Sequence, residues 1–191
     1  MRTIRYNTFE TNSSSTHSLA VPKTLGYVPS DIRFHFGDFG WDQESGIDPA
    51  DYLYTAIVTG DSEIRNKYVP MLKDIMKRHN IRAKYADYEL SEYERCEESD
   101  TPEYYVDSNY GYVDHSYSLK PFLEWLFEDD ERVIRFLSEG LVFTGSDNDK
   151  DSSFFIGRNK KEIYNWETDR EEPNPYYMEN CDDYDWFYKG N

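Results

Sequence analysis

The sequence predicts an α+β fold in which about four helices pack against a mixed or antiparallel sheet. Apolar and polar residues alternate in the first 36 residues, which is typical of strands with one buried face. Apolar residues at helical spacing, bounded by capping residues and glycines, indicate helices within residues 49–80 and 118–140. Neither repeats nor a Pro/Gly/Ser-rich linker divides the chain, so residues 1–191 are assigned to a single domain.

The N-terminal part of the chain predicts three strands. Residues 3–9 and 32–36 alternate between apolar and polar side chains, and residues 17–21 form a short, mostly apolar run. In the third strand the alternation puts Arg33 and His35 opposite the buried face. These strands are expected to belong to the sheet.

The middle of the chain predicts two helices with clear ends. Asp48 supplies a capping carboxylate ahead of Pro49, which suits the first helical turn, and Gly60 ends this helix. A second helix is capped by Asp61 or the residue after it and continues to about residue 80. Pro70 lies inside it and predicts a kink or a break, because proline lacks the N–H that the helix needs.

The second half of the chain predicts further elements. Ser118 is expected to cap a helix, and a following helix is expected to end at Gly140. The remaining strand predictions are residues 81–88, which alternate, and two pairs: residues 103–106 with 110–113 across a short turn, and residues 141–144 with 154–156.

Charge is the strongest feature of the composition. Asp and Glu total 38 against 21 Lys and Arg, a formal net charge of −17, while residues 1–36 alone carry +2. Nine carboxylates and one arginine lie within 87–107, predicted as an exposed acidic excursion, and residues 167–191 form an acidic aromatic tail. Such a surface repels nucleic acid and anionic membranes and attracts basic proteins, although high charge also serves solubility alone.

The composition also indicates where in the cell the protein is expected and whether it needs a cofactor. Aromatic residues make up 17% of the chain, enough for a folded core, and no apolar run is long enough to span a membrane. Cys96 and Cys181 lie among carboxylates and are expected to be reduced, non-catalytic thiols. We expect a soluble cytoplasmic protein without a membrane partner or a cofactor.

Metal binding is not expected either. Asp147, Asp149 and Asp151 have the spacing of a calcium loop, but Ser152 and Arg158 stand where that loop needs Gly and Glu. His35 and His115 could join His17 in a cluster, yet scattered histidines are more often surface or hydrogen-bonded residues.

The polar stretch of residues 9–18 has three interpretations. His17 could activate a serine hydroxyl, with Ser13 and Ser15 as the candidates. Alternatively, backbone N–H groups and hydroxyls could hold a phosphate, and the residues for that anion site are Arg5, Asn12 and Ser14. In the third interpretation the stretch is a strand connection whose side chains satisfy their own backbone.

Residues 9–18, with the sequence FETNSSSTHS, also resemble a known N-terminal signature. Preceded by Arg5, they are similar to the start of small proteins from bacteriophages and mobile elements of Gram-positive and gut bacteria. The resemblance implies a setting of conflict between phage and host. In that setting small acidic proteins, such as anti-CRISPR inhibitors, block nucleases by filling their nucleic-acid grooves, and the extension to this chain is by analogy.

Together these observations favour an acidic inhibitor that binds a basic nucleic-acid-handling enzyme, such as a Cas nuclease of a host defence system, without binding nucleic acid itself. The carboxylates expected to contact the partner are Glu92, Glu94, Glu97, Glu98, Asp100, Asp182, Asp183 and Asp185. One alternative is an enzyme that acts on a nucleotide or phosphorylated substrate through residues 13–17. Another is a phage structural or assembly protein.

Overall fold

The computed structural model describes residues 15–40, 42, 44–93, 103–114, 116–146, 158, 160–165, 167–175 and 177–189. Four α-helices and five small sheets occur in these residues. The predicted α+β fold class is therefore confirmed. The prediction for residues 3–9 lies outside the described residues.

A four-stranded antiparallel sheet contains the most deeply buried strand of the chain. Its strands, in spatial order, are β12 (Tyr184–Lys189), β1 (Ser15–Pro22), β9 (Leu141–Ser146) and β4 (Glu44–Ser45). The predicted strand at residues 17–21 is confirmed as part of β1. Leu19 lies opposite both Val142 and Phe187, so one face of β1 is apolar along its centre. The strand predicted at residues 154–156 lies outside the described residues, and β9 pairs with β1 and β4.

Four helices cover the core. They are α1 (Pro49–Thr59), α2 (Ser62–Arg78), α3 (Lys120–Phe127) and α4 (Asp130–Glu139). Helix α1 has the predicted bounds, because the Asp48 carboxylate accepts from the backbone N–H of Ala50 at 2.8 Å and Gly60 ends it. Nearly the whole of α1 is buried, as expected of a helix in contact with neighbours on most sides.

Helix α2 is not broken at Pro70, where a kink or a break was predicted. Asp61 caps it as predicted and accepts from the backbone N–H of Ile64 at 2.8 Å, and the helix then runs unbroken from Ser62 to Arg78. Pro70 lies on the exposed side, where the carbonyl left without its helical partner can be hydrated. Burial of the opposite, apolar face of α2 then holds the helix together.

The two remaining helices agree with the predictions except at one cap. Ser118 lies inside a short 3₁₀ helix, Ser116–Leu119, and α3 begins after Leu119 without a side-chain cap, so the predicted Ser118 cap is wrong. Asp129 caps α4 by accepting from the backbone N–H of Glu131 at 2.9 Å, and α4 ends at Gly140 as predicted.

Eight short strands form four two-stranded sheets. The parallel pairs are β2 (Asp31–Phe34) with β5 (Arg82–Tyr85) and β3 (Asp38–Phe39) with β8 (Tyr112–Val113). The antiparallel pairs are β6 (Leu90–Tyr93) with β7 (Glu103–Val106) and β10 (Glu162–Asn165) with β11 (Arg170–Pro173). We call β2 and β5 the basic ribbon, and β6 and β7 the acidic hairpin.

Two predictions for residues 87–113 are wrong. Residues 90–93 form a strand, where an exposed loop was expected. The strand expected at residues 103–106 is present as β7, but it pairs with β6, where pairing with residues 110–113 was expected. Gly111 explains the second error. It adopts φ +122°, and a Cβ there would meet the Gly37 carbonyl oxygen at 2.5 Å, so only glycine lets the chain pass this close and deliver β8 to β3.

Candidate functional site

The polar opening stretch enters the fold as a buried strand. Ser15 and His17 lie on β1, and both are fully buried on the strand face that also carries Leu19. Arg5, Asn12, Ser13 and Ser14 lie outside the described residues, so the anion site predicted there is not described.

His17 belongs to a polar contact inside the core. Its Nδ1 lies 2.7 Å from the Tyr52 hydroxyl on α1, and the two rings meet edge to face. Burial raises the pKa of Tyr52 well above its usual value, so the phenol keeps its proton and can donate to the imidazole. Thr144, opposite His17 on β9, donates to the carbonyl oxygen of Asp42 at 2.9 Å. This arrangement ties α1 to the central sheet and leaves His17 without exposed surface.

The described histidines have separate partners. The His35 backbone N–H and Nδ1 lie 2.8 and 3.2 Å from Asp51 Oδ1, and His79 Nε2 lies 3.4 Å from Asp130. Within the described part of the chain, no group of three His, Cys, Asp or Glu side chains could hold a metal ion. His115 lies outside that part.

The calcium-like spacing also falls mostly outside the described residues. Asp147, Asp149, Asp151 and Ser152 are not described. Arg158 is buried, and its guanidinium carbon lies 3.7 Å from the centroid of the Phe143 ring, a cation–π contact on the far face of the sheet.

The acidic hairpin carries one exposed residue of the predicted partner surface. Glu92 is exposed on β6, while Glu94, Glu97, Glu98 and Asp100 lie outside the described residues. The described residues 87–93 and 103–107 contain five carboxylates and no lysine or arginine. The described residues of this segment therefore contribute only negative charge.

Large side chains project from the same hairpin. Leu90 is 49% exposed, Tyr104 is 45% exposed and Tyr105 is 43% exposed. Glu92 lies opposite Tyr104 and Ser91 opposite Tyr105, so the two tyrosines occupy opposite faces of the hairpin. Aromatic residues are enriched in protein interfaces, and the rim around them is polar.

A buried arginine fixes this hairpin to the helices. Arg65 on α2 is only 3% exposed, and its Nη1 donates to the carbonyl oxygens of Val58 and Gly60 at 3.3 and 3.1 Å. Its Nη2 donates to the Tyr104 carbonyl oxygen. Burial lowers the pKa of Arg65, and the nearby Tyr88 and Asp61 oppose that shift.

The sequence reasoning missed Arg65. It falls among the apolar positions of α2, next to Ile64 and three residues before Tyr68, where a charged side chain needs buried partners. An arginine at a helix position expected to be buried is therefore the sequence feature that could have identified this residue.

The acidic tail is joined to the central sheet. Asp182 and Asp183 are exposed in a short 3₁₀ helix, Cys181–Asp183, and Asp185 is half-buried on β12 opposite Val21. Lys23 bonds to this turn through its Nζ and its backbone N–H, which donate to the carbonyl oxygens of Asp182 and Asp183 at 2.8 and 2.9 Å. The tail carboxylates thus have a fixed position beside β1.

The two cysteines differ in what the structure shows. Cys181 is a free thiol, and burial, followed by the charge of Asp182, raises its pKa, so the thiolate is disfavoured as the sequence suggested. Cys96 lies outside the described residues.

None of the described helices is both long and apolar enough to cross a membrane.

Comparison with known proteins identifies no relative. No protein-family model, curated protein or solved structure matches the chain. The function is therefore inferred from the geometry and charge of the chain itself.

Proposed function

We propose that the chain is an acidic binding protein that inhibits a basic nucleic-acid-handling enzyme, such as a nuclease of a host defence system. The observation that supports this most is the acidic hairpin, whose described strands expose Tyr104 and Tyr105 and contain carboxylates but no lysine or arginine. The resemblance of residues 9–18 to phage and mobile-element proteins supplies the setting, the cytoplasm of the host cell.

The chemistry of the hairpin fits a groove lined with arginine and lysine. Carboxylates such as Glu92 accept paired hydrogen bonds from guanidinium groups, and negative charge steers a basic partner toward the surface. The tyrosine rings supply contact area at little cost in side-chain entropy. The partner is therefore a protein with a cationic groove flanked by apolar surface.

Pre-organisation adds to the affinity of such a surface. Arg65 bonds the hairpin backbone at Tyr104 to the end of α1, so the tyrosines are held in place before a partner arrives. A surface that is already ordered loses less conformational entropy on binding.

Inhibition in this proposal requires no chemical step by the chain. The hairpin carboxylates occupy the positions of nucleic-acid phosphates in the groove, and the enzyme then cannot bind its guide or target strand. Glu94, Glu97, Glu98 and Asp100 continue the charged sequence beyond β6, and Asp182, Asp183 and Asp185 add negative charge beside β1.

The test compares two charge-matched variants. Glu89→Gln with Glu92→Gln removes two exposed charges, one from the residue just before the acidic hairpin and one from its strand β6. Glu162→Gln with Glu171→Gln removes two exposed charges from β10 and β11. Each immobilised protein is incubated with host lysate at about 0.05 M salt and eluted at about 0.5 M salt, where surface charges are screened. Captured proteins are identified and tested for loss of nucleic-acid binding.

The expected result is a nucleic-acid-handling protein that is retained by the natural chain and by the β10–β11 variant but weakly by the hairpin variant. Its nucleic-acid binding is blocked in the complex. Equal capture by both variants, or a partner that still binds nucleic acid normally, contradicts the proposal. A captured phage structural protein would favour the assembly alternative.

The enzyme alternative remains a separate prediction. Ser15 and His17 are fully buried in the described structure, so that site has no surface on which a substrate could meet both side chains. A phosphatase or nucleotidase activity that His17→Ala abolishes without unfolding the protein would support the enzyme over the inhibitor.

A further inference from the structure

The basic ribbon forms a small cleft at the carboxyl ends of two parallel strands. β2 and β5 run side by side and end at Phe34 and Tyr85, so the residues that follow, His35 and Ala86, meet at one edge. The cleft has a volume of about 250 Å³ and is lined by Arg33, Phe34, His35, Lys84, Tyr85 and Ala86. The carboxyl edge of parallel strands is where α/β sheets commonly hold ligands.

Two uncompensated cations face each other across this cleft. Arg33 on β2 lies directly opposite Lys84 on β5, and both side chains are exposed. Neither forms an ion pair with a described residue, whereas Arg82, two positions before Lys84, lies 3.5 Å from Asp31. Two neighbouring positive charges repel each other until an anion lies between them.

A histidine lies at the edge of the cleft and contacts a carboxylate. His35 lies beside Arg33 at the end of β2, and its Nδ1 is 3.2 Å from Asp51. The Asp51 oxygen also accepts from the His35 backbone N–H at 2.8 Å. Because Nδ1 and the carboxylate face each other, Asp51 fixes the orientation of the His35 ring at the edge of the cleft.

The floor of the cleft is well ordered by its packing. The rings of Phe34 and Tyr85 stack in parallel with centroids 4.9 Å apart, and the backbone N–H of Ala86 donates to the Phe34 carbonyl oxygen at 2.9 Å. The Tyr54 hydroxyl donates to the Ala86 carbonyl oxygen at 2.8 Å. Arg33 and Lys84 therefore project from a backbone fixed on both strands.

We propose that this cleft binds a small ligand through a phosphate group. Arg33 offers a guanidinium fork that matches two phosphate oxygens, and Lys84 offers a point charge to a third. Pockets for drug-sized ligands measure about 300–1,000 Å³, so a cleft of about 250 Å³ fits a phosphate with a small attached group. This site is separate from the acidic hairpin and does not depend on the proposed inhibition.

The chain's overall charge makes the site selective. With a formal net charge of −17, the protein repels extended polyanions. The phosphates of such a polyanion that lie outside this cleft form no favourable contact with the protein. A single phosphate meets the local field of Arg33 and Lys84. The ligand is therefore a phosphate monoester or free phosphate, and the experiment distinguishes these two.

The experiment is a titration of the full chain followed by ¹H–¹⁵N NMR, with inorganic phosphate, adenosine monophosphate and adenosine as separate probes. Arg33→Gln and Lys84→Gln each remove one cation from the cleft. Arg82→Gln is the matched control, because Arg82 lies on the same strand as Lys84 but pairs with Asp31 and does not line the cleft.

We expect saturable shifts at residues 33–35 and 84–86 with both phosphate-containing probes and none with adenosine. Each cleft variant should weaken binding about tenfold, while Arg82→Gln changes it less than about twofold. Tighter binding of the nucleotide identifies a monoester ligand, and equal affinity identifies recognition of the phosphate alone. Two independent cleft variants keep the test valid if one fails to fold.

Three results would overturn the site. One is the absence of saturable shifts with either phosphate-containing probe. Another is equal weakening by Arg82→Gln, which would indicate general charge screening. The last is displacement by chloride at the same concentration as phosphate, which would indicate a non-selective counterion position.

Discussion

The acidic hairpin and the basic ribbon are both two-stranded and both contact α1 and α2, yet they differ in charge and in attachment. The hairpin carries carboxylates and exposed tyrosines and is bonded to the helices through the buried guanidinium of Arg65. The ribbon carries Arg33 and Lys84 and is attached by stacked aromatic rings.

The difference shows how one pair of helices presents two opposite electrostatic surfaces. Aromatic packing buries the side of the ribbon that faces the helices and leaves its alternate positions free for cations. The hairpin instead depends on backbone carbonyl groups that need a buried donor. We therefore expect substitutions in the aromatic contacts of the ribbon and substitution of Arg65 to lower the free energy of unfolding by different amounts.

The largest effect is expected where the ribbon packs on the core. Phe34→Ala removes a fully buried ring that stacks on Tyr85 and contacts Tyr54, and should lower the free energy of unfolding by about 3–5 kcal/mol. Urea denaturation followed by circular dichroism measures the loss. A change under about 1 kcal/mol would show that the ribbon is attached by some other means.

A smaller loss is expected from the hairpin's single cation. Arg65→Met removes the donor to the carbonyl oxygens of Gly60 and Tyr104 and should cost about 2–3 kcal/mol, with faster amide exchange in β6 and β7. The control is Arg78→Met on the same helix, which breaks an exposed pair with Asp130 and should cost under about 1 kcal/mol. Equal costs for the two variants would contradict the assigned role of Arg65.

Alkaline pH should weaken the ribbon side of the core. Burial raises the pKa of Tyr85 from 10.0 to about 12, and burial together with negative neighbours raises that of Tyr54 further. Because both phenols stay protonated in the folded state while the unfolded chain ionises, their stabilisation is complete below pH 10.0 and is lost as pH rises toward 12 and beyond.

The measurement is the urea midpoint between pH 8 and about pH 12, for the natural chain and for Tyr85→Phe. The Tyr85 hydroxyl is buried without a hydrogen-bond partner among the described residues, so the substitution should cost little at neutral pH. It should also flatten the alkaline decline, because phenylalanine cannot ionise. An unchanged decline would place the titrating groups elsewhere.

The smallest effect is expected at the surface of the ribbon. Asp31→Asn breaks the exposed pair with Arg82, and surface pairs of this kind contribute about 0–1 kcal/mol. Thermal unfolding should shift by no more than a few degrees at low salt. A larger shift would mean that the ribbon is attached by charge as well as by packing.

The parts that the sequence predicted well are those encoded by neighbouring residues. Asp48, Pro49 and Gly60 bound α1, and Asp61 caps α2, because caps act within one helical turn. The alternation that places Arg33 opposite the buried face of its strand is also local, and the structure confirms it. For the same reason Glu92 was correctly expected to be exposed.

The parts that it missed depend on contacts between distant residues. The pairing of β8 with β3 requires Gly111 to pass against Gly37, and no local pattern reports that approach. The tolerance of Pro70 depends on which side of α2 is packed. Arg65 contacts the Tyr104 carbonyl oxygen only after the chain has folded back onto α2. The assignment of one domain stays a prediction.

The central claim is that the acidic hairpin holds a basic partner by charge. Its most direct test is the dissociation constant of the captured partner for the natural chain and for the Glu89→Gln, Glu92→Gln variant, measured from low to high salt. The variant should bind about tenfold more weakly at low salt, and the difference in affinity should shrink as salt rises. Equal affinities at low salt, or a difference that does not change with salt, would contradict it.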